Sequence, residues 1–298
     1  MISGAVLAGA IQMAVPILLC ATGALLNDRA GTTNISMEGA MLISAFFAVA
    51  GSYYTSSWAA GLIAGVLVSV LLSLVFFLIT QVLGGDELIV GLSLSILMSG
   101  LTEFLLRQMF GRAGSLFSDR IQGIPKIQSE AFAAVPVLGP LLNGNTWIVY
   151  FAYIALYLAY LLIYRSPFGL KILASGEKPD AAATVGINVV LVRFICNLIC
   201  GVLCGLAGVQ LSIGYLTLFT EGMTVGRGFI ALGAVMFCQG KPLRLLGITL
   251  FFGLAQSLSN QMQLFQLPSE LVLVIPYIAV ILLTLFHLDK KKANSLSG

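Results

Sequence analysis

Five charged residues stand within or beside long apolar stretches: Glu38, Glu103, Arg107, Glu221 and Arg227. An ionisable group at membrane depth is costly and by default marks a substrate path, a relay or an ion pair. Glu103 and Arg107, four apart near a helix end, are expected to pair with each other. Glu38 and Glu221 are different, because each leads an apolar helix and has polar neighbours, Asn34 and Ser36 for the first, Thr220 and Thr224 for the second. That grouping suits hydrogen bonding to a hydroxylated small molecule, and it suits capping of helix starts equally well.

Other chemistries are poorly served. There is no GxxxxGK[ST] run, so the chain has no phosphate cradle of its own and would not bind ATP. His287 is the single histidine and neither HExxH nor CxxC spacing occurs, which gives no reason to place zinc or haem here. Cys196, Cys200 and Cys204 share one helix face. A soft-metal or redox stripe would look like this, but small thiols packed between helices are the preferred reading. No nucleophile with a companion base is recognisable, and no catalytic residue is predicted.

These residues must be held by membrane helices. Of 298 residues, 59% are hydrophobic and 9% charged, against about 25% charged in a soluble domain. Residues 1–27, 39–85, 131–164, 194–220, 245–269 and 271–288 contain no Asp, Glu, Lys or Arg. A spanning helix needs about 20 mostly apolar residues, and helices are predicted near 3–26, 39–56, 58–83, 88–106, 145–164, 192–213, 225–240, 245–264 and 270–288. The fold class is an all-α integral membrane protein with about nine transmembrane helices, in a range of roughly eight to ten. The polar stretches 103–130 and 165–193 are too short to bury cores of their own, so residues 1–298 read as one transmembrane domain. Residues 1–27 lack a basic leader region and read as a retained first helix.

Lys and Arg collect in cytoplasmic loops. Segment 165–193, with Arg165, Lys171, Lys178 and Arg193, and the tail Lys290–Lys292 are the two anchors. Placing both inside puts ten of the fifteen Lys and Arg in the cytoplasm, with Arg107, Arg112, Arg120, Lys126 and Arg227 outside. The expected orientation is N-terminus out and C-terminus in. A net charge of +3, with no other basic cluster, gives no reason to expect nucleic acid as a partner.

Between Arg227 and Lys241 lie thirteen charge-free residues, too few to span alone. A broken or re-entrant segment is expected there, its free backbone groups covered by protein or a water-filled cavity. The first half holds a counterpart. Gly39 and Gly51 bracket AMLISAFFAVA, while Gly228 and Gly240 bracket FIALGAVMFCQ, eleven residues in each case. On the topology above the two copies run in opposite directions, as in an inverted-topology repeat. Chance spacing of small residues at helix interfaces gives the same match.

Segment 165–193 also reads as carrying a short surface helix. Pro179 suits the first turn, Asp180 the positive helix start, Ala181 to Thr184 supply propensity and Gly186 closes the end. Two turns are not stable alone, so the helix should dock onto the membrane or a partner.

The stretches GTTNISMEGAMLISAFFA, GGDELIVGLSLSILMSGLTEFLLR, FGLKILASGEKPDAAATVGINV, GYLTLFTEGMTVGRGFIALGAVMF and LVIPYIAVILL occur in order between about residues 22 and 288. Together they resemble the permease subunits of bacterial nucleoside ABC importers, within the wider group of ribose-type and branched-chain amino-acid permeases, and specifically the shorter of the two permeases such systems encode. The resemblance implies a multi-pass protein of the bacterial cytoplasmic membrane, embedded in lipid. It implies a second homologous permease, a cytoplasmic ABC ATPase that uses ATP and Mg, and an extracytoplasmic substrate-binding lipoprotein. No cofactor is implied in this chain. Segment 165–193 would be the coupling loop, with Gly176, Glu177, Pro179, Asp180, Ala181, Ala182 and Gly186 at the ATPase. The substrate pathway is expected at Asn34, Ser36, Glu38, Ser93, Ser95, Tyr215, Phe219, Glu221 and Thr224, aromatics stacking a base and polar groups meeting ribose. Ser95 stands where relatives often carry Asn, which bears on which nucleoside is taken. A sugar, riboflavin or another small polar metabolite is the alternative cargo. An ion-coupled secondary transporter and an intramembrane enzyme are the alternatives of other classes.

Overall fold

The computed structural model describes residues 4–127 and 144–263. The predicted helix 270–288, His287 and the Lys290–Lys292 tail lie outside them. In chain order the elements are α1 (Gly4–Arg29), α2 (Met37–Thr55), α3 (Trp58–Phe77), α4 (Glu87–Phe110), α5 (Trp147–Arg165), α6 (Pro167–Glu177), α7 (Pro179–Thr184), α8 (Val189–Val209), α9 (Arg227–Cys238) and α10 (Pro242–Gln263). α3 runs on as a π-helical turn, Leu78–Val82, and α8 as another, Gln210–Leu216. Four two-residue strands form two antiparallel pairs: β1 (Ser115–Leu116) with β4 (Phe219–Thr220), and β2 (Lys126–Ile127) with β3 (Asn145–Thr146).

Six helices among the described residues are long and apolar enough to cross a membrane: α1, α3 with its π turn, α4, α5, α8 with its π turn, and α10. Two further predicted helices correspond to α2, which is buried along most of its length, and to α9. At about 1.5 Å per residue the twelve residues of α9 reach only about 18 Å, so it does not span without the segment that precedes it.

α2 is the axis of the bundle because its small residues let neighbouring backbones come close. A Cβ on Gly51 would lie 3.0 Å from the Cα of Gly61, and one on Gly65 would lie 2.8 Å from the carbonyl oxygen of Ser44. Hydroxyls then bridge the close contacts. Ser44 donates to the Gly205 carbonyl and Ser69 to that of Gly201, both at 2.7 Å. Without a hydrophobic drive between helices in lipid, such close packing and interhelical hydrogen bonding hold spans together. The cysteine stripe belongs to the same scheme. Cys200 faces Gly23, whose added Cβ would meet the Cys200 Cα at 2.9 Å, and all three sulfurs are buried in the α1–α8 contact region.

Segment 165–193 departs from its expected form. One short helix was predicted near 179–185, and α7 is there, closed by Gly186 at φ +84°. An eleven-residue helix precedes it, however. α6 starts at Pro167, with Ser166 accepting from the Gly169 N–H at 3.0 Å. Its Gly169 and Gly176 have low helix propensity, yet each is required by close approach. A side chain at Gly176 would strike the Arg29 carbonyl, and one at Gly169 the carbonyls of Leu162 and Ile163.

Candidate translocation pathway

The segment after α8 is where the chain leaves regular structure inside the bundle. The π turn ends at Thr217 (φ +52°), and Gly222, Val225 and Gly226 also take positive φ, +65°, +46° and +73°. All four conformations are unfavourable or need glycine, so residues 217–226 form an unwound connection rather than a bent helix. Much of its backbone is nevertheless paired within the chain. Phe219 and Thr220 pair with Leu116 and Ser115. The Glu221 N–H donates to the Gly114 carbonyl, and its carboxylate accepts from the Gly114 N–H, both at 2.9 Å.

The end of the unwound stretch is fixed by Glu38. One carboxylate oxygen accepts from the Gly226 N–H at 2.9 Å and the other from the Gly228 N–H at 2.7 Å. These N–H groups are the orphan donors at the start of α9. Glu38 also lies in the first turn of α2, so one negative charge serves the positive ends of two helices. Gly228 makes this approach possible, since a Cβ there would lie 2.6 Å from the Glu38 nitrogen. Arg227 is buried beside them and folds back, donating to the carbonyls of Met223 (2.9 Å) and Thr224 (3.2 Å).

The depth of this junction follows from its neighbours. Gly39 packs against Ser95, eight residues or about 12 Å along α4 from its start. Phe219 makes an edge contact with Phe46 at 5.3 Å, eight residues or about 12 Å further along α2 than Glu38. The unwound residues therefore travel through the interior from the level of Phe46 to that of Glu38. α9 completes the path to the end of α1, where Gly240 lies against the Arg29 guanidinium. The broken or re-entrant segment expected from the short charge-free run corresponds to this unwound stretch and the twelve-residue α9 that follows it.

The nine predicted pathway residues divide by environment. Asn34 (2% exposed) and Ser36 (0%) are enclosed. The Asn34 amide donates to Asn197 Oδ1 at 3.0 Å and accepts from the Ser36 N–H and hydroxyl, while Asn197 donates to the Ser73 carbonyl at 2.7 Å. Ser95 is buried and donates to the Gly91 carbonyl at 2.9 Å. Phe219 and Thr224 are buried. Ser93 is exposed on the far side of α4, and Tyr215, Glu221 and Glu38 are half-buried. The structure thus brings Glu38 and Thr224 to one junction, and leaves Ser93 apart. Glu103 and Arg107 form the expected ion pair, at 2.5 Å on an exposed surface.

Two features went unread in the sequence. Tyr53, Tyr54, Phe110, Arg112 and Arg120 line a pocket of about 420 Å³ at the end of the bundle reached by α2 and α4, with the Arg120 guanidinium 5.9 Å from the Tyr53 ring centre. At the opposite end Glu87 accepts from the Thr33 N–H (2.6 Å) and from Gln81 (2.9 Å). Arg193 then donates to Gln81 (2.9 Å) and to the Ala30 carbonyl (3.2 Å). This chain of hydrogen bonds ties together the α1–α2 loop, the α3–α4 corner and the start of α8, which follows α7 in the chain. The DE pair at 86–87 was its sequence signal, with Asp86 capping α4 through the N–H groups of Leu88 and Ile89.

In the α7 segment, Ala182 (3% exposed) is turned inward, whereas Ala181, Ala183 and Thr184 face out and Val185 is 75% exposed. Glu177, Asp180 and Gly186 are exposed, and Gly176 and Pro179 half-buried. The outward surface of this corner sets Ala181, Ala183 and Val185 among the exposed charges of Glu177, Lys178 and Asp180.

The guanosine ABC transporter permease protein NupQ of Bacillus subtilis is 33% identical over 94% of this chain and 92% of its own length. A permease protein assigned to a glucose ABC transporter, TsgC13 of Haloferax volcanii, is 32% identical over 85% of this chain and 76% of its own. The nucleoside ABC transporter permease protein NupC of Lactococcus lactis is 28% identical over 98% and 95%. Among solved structures, an ABC transporter assigned to the metal-chelate type, in an inward-facing conformation, matches 93% of this chain and 84% of that one with a TM-score of 0.54 at 14% identity, a likeness of fold. The permease component of branched-chain amino acid transport systems matches residues 6–284; the chain belongs to that family, and is a multi-pass plasma-membrane permease subunit of an ABC importer.

Proposed function

We propose that this permease carries nucleosides, as the shorter member of a pair of homologous permeases driven by a cytoplasmic ATPase and supplied by an extracytoplasmic binding protein. The observation that carries the transport role is the interior break at 217–226, clamped to α2 by Glu38. Two helices start at one carboxylate and leave in opposite directions, α2 toward the Tyr53 end and α9 toward Arg29. That arrangement supports an inverted-topology relation and a count of about nine spans once the segment near 270–288 is added. Nucleosides as the cargo rest on NupQ and NupC, whose names specify guanosine and nucleosides. TsgC13, named for glucose, makes a sugar the second reading.

Within this reading the nine residues take two roles. Asn34, Ser36, Glu38, Ser95, Phe219 and Thr224 hold the frame of the break, since the first four spend polar groups on the protein and Phe219 and Thr224 are buried. Tyr215, Glu221 and Ser93 keep surface for a passing substrate. The exposed corner at Ala181 and Val185 seats in the ATPase, with Gly176, Glu177, Pro179, Asp180 and Gly186 shaping it. Motion there reaches α4 and the α1–α2 loop through Arg193, Gln81 and Glu87. ATP and Mg act at the ATPase alone, and this chain performs no covalent chemistry.

The test is uptake by the complete transporter, reconstituted with its binding protein in vesicles loaded with ATP. Saturable accumulation of labelled guanosine, competed by other nucleosides and not by glucose, is expected. Glucose accumulation with no guanosine uptake would replace the nucleoside reading with the sugar one.

A further inference from the structure

On the outer flank of the bundle, away from the break, α5 carries Tyr153, Tyr157, Tyr160 and Tyr164 at intervals of four, three and four. That spacing puts all four rings on one helix face along about 16 Å. Tyr157 and Tyr160 stack with centres 6.5 Å apart, and Tyr160 and Tyr164 lie 5.6 Å apart. Facing them across a groove of about 760 Å³ are Pro242, Leu243 and Leu246 at the start of α10. The groove ends at two cations, Arg165 and Lys241, both exposed. The Tyr164 hydroxyl donates to the Gly240 carbonyl at 2.5 Å, which fixes the corner carrying Lys241 beside the end of α5.

A second apolar groove, of about 690 Å³, runs along the other side of α5 between Leu26, Phe151, Leu158 and Val202 and also ends at Arg165. Two apolar channels thus converge on one basic mouth. No carboxylate is paired with Arg165 or Lys241 among the described residues.

We infer that this mouth and the tyrosine-walled groove bind an anionic phospholipid, its phosphate at Arg165 and Lys241 and an acyl chain along the rings. Charge complementarity selects the occupant. A protein helix would leave both cations unpaired at its edge, whereas a headgroup phosphate takes both, and basic pockets between spans hold anionic headgroups for this reason. Tyrosine suits the wall because its ring is apolar and its hydroxyl reaches the interface. The site is separate from the substrate reading and does not depend on which solute is carried.

The test uses the assembled transporter in bilayers with spin-labelled phosphatidylglycerol or spin-labelled phosphatidylcholine as probe. The motionally restricted fraction should be larger for phosphatidylglycerol. Each basic residue near a headgroup contributes about a fivefold preference, so Lys241→Gln should lower the selectivity severalfold and Arg165→Gln with Lys241→Gln should bring it close to one. Arg112→Gln with Arg120→Gln, which removes the same charge at the opposite end, should leave it unchanged. Equal restriction of both lipids by the unmodified protein would mean a simple aromatic belt and would overturn the site. Undiminished selectivity in the Lys241→Gln protein, a change at an exposed corner, would do the same.

Discussion

The Glu38 carboxylate sits astride the start of α9, one oxygen 2.7 Å from the Gly228 nitrogen across 190 residues of sequence. Its other oxygen takes the Gly226 N–H, so removing the side chain strands two part-buried donors. An unsatisfied buried group costs about 1–3 kcal/mol. Glu38→Ala should therefore lower the thermal midpoint of the purified complex by several degrees, and Glu38→Gln, which keeps one acceptor, by less. Gly228→Ala should resemble Glu38→Ala, because its methyl would press on the Glu38 backbone. Unchanged melting of the Glu38→Ala complex would show that the clamp does not hold the break.

How far the sequence foretold this junction depends on the distance over which its causes act. The shortness of α9 was legible because Arg227 and Lys241 bound the apolar run, a local fact. The broken backbone followed from bilayer thickness. What Glu38 does was open, since a carboxylate at a helix start reads alike whether it caps its own helix, a remote one or meets a solute. Only tertiary packing brings Gly226 and Gly228 to it. α6 went unread because Gly169 and Gly176 lower helix propensity, and their close contacts with α5 and the end of α1 are invisible in one dimension. The inward turn of Ala182 was equally hidden, as one six-residue helix holds too few turns to show a periodic face.

That inward turn reshapes the test of coupling. Ala182→Glu would bury a charge within this chain and damage the permease itself, a cost of several kcal/mol. Ala181→Glu and Val185→Glu place the charge on the outer surface of the corner. Both variants should assemble in the membrane at normal levels but copurify with the ATPase at about a tenth or less of the normal yield, about 1.4 kcal/mol or more of lost contact. Full copurification and full transport by both would remove this corner from the ATPase contact.

A related prediction concerns the hydrogen-bonded chain behind the corner. Glu87→Gln keeps one acceptor but loses the charge that receives both the Thr33 N–H and the Gln81 amide. If the chain transmits motion, ATP hydrolysis by the complex should persist while uptake per ATP falls severalfold. A proportional loss of both rates would indicate a merely structural contact.

Orientation rests on the charge count and is open to direct labelling. Ser175 is enclosed at 0% exposure, so a cysteine there would be silent from either side. Glu177→Cys and Arg120→Cys are the informative pair, both exposed and near opposite ends. An impermeant thiol reagent applied to intact cells should modify the cysteine at 120 and spare the one at 177, and the reverse pattern would invert the topology.

The last prediction separates substrate contact from scaffold within the break. Glu221 holds Gly114 through a hydrogen bond that a neutral amide oxygen can also accept, so Glu221→Gln changes charge while keeping the loop. Tyr215 is half-buried and free to present its ring, whereas Thr224 is enclosed beside Arg227. If Tyr215 and Glu221 meet the solute, Tyr215→Leu and Glu221→Gln should lower guanosine uptake per assembled complex about tenfold, as losing 1–3 kcal/mol at a limiting step requires. Melting and binding-protein association should stay normal. Thr224→Val should show the opposite pattern, a lower yield and midpoint with turnover per surviving complex preserved, because its cost falls on packing rather than on the passing solute. Normal uptake by both the Tyr215 and Glu221 variants would place the route elsewhere, and the exposed face of α4 that carries Ser93 would then be the next surface to vary.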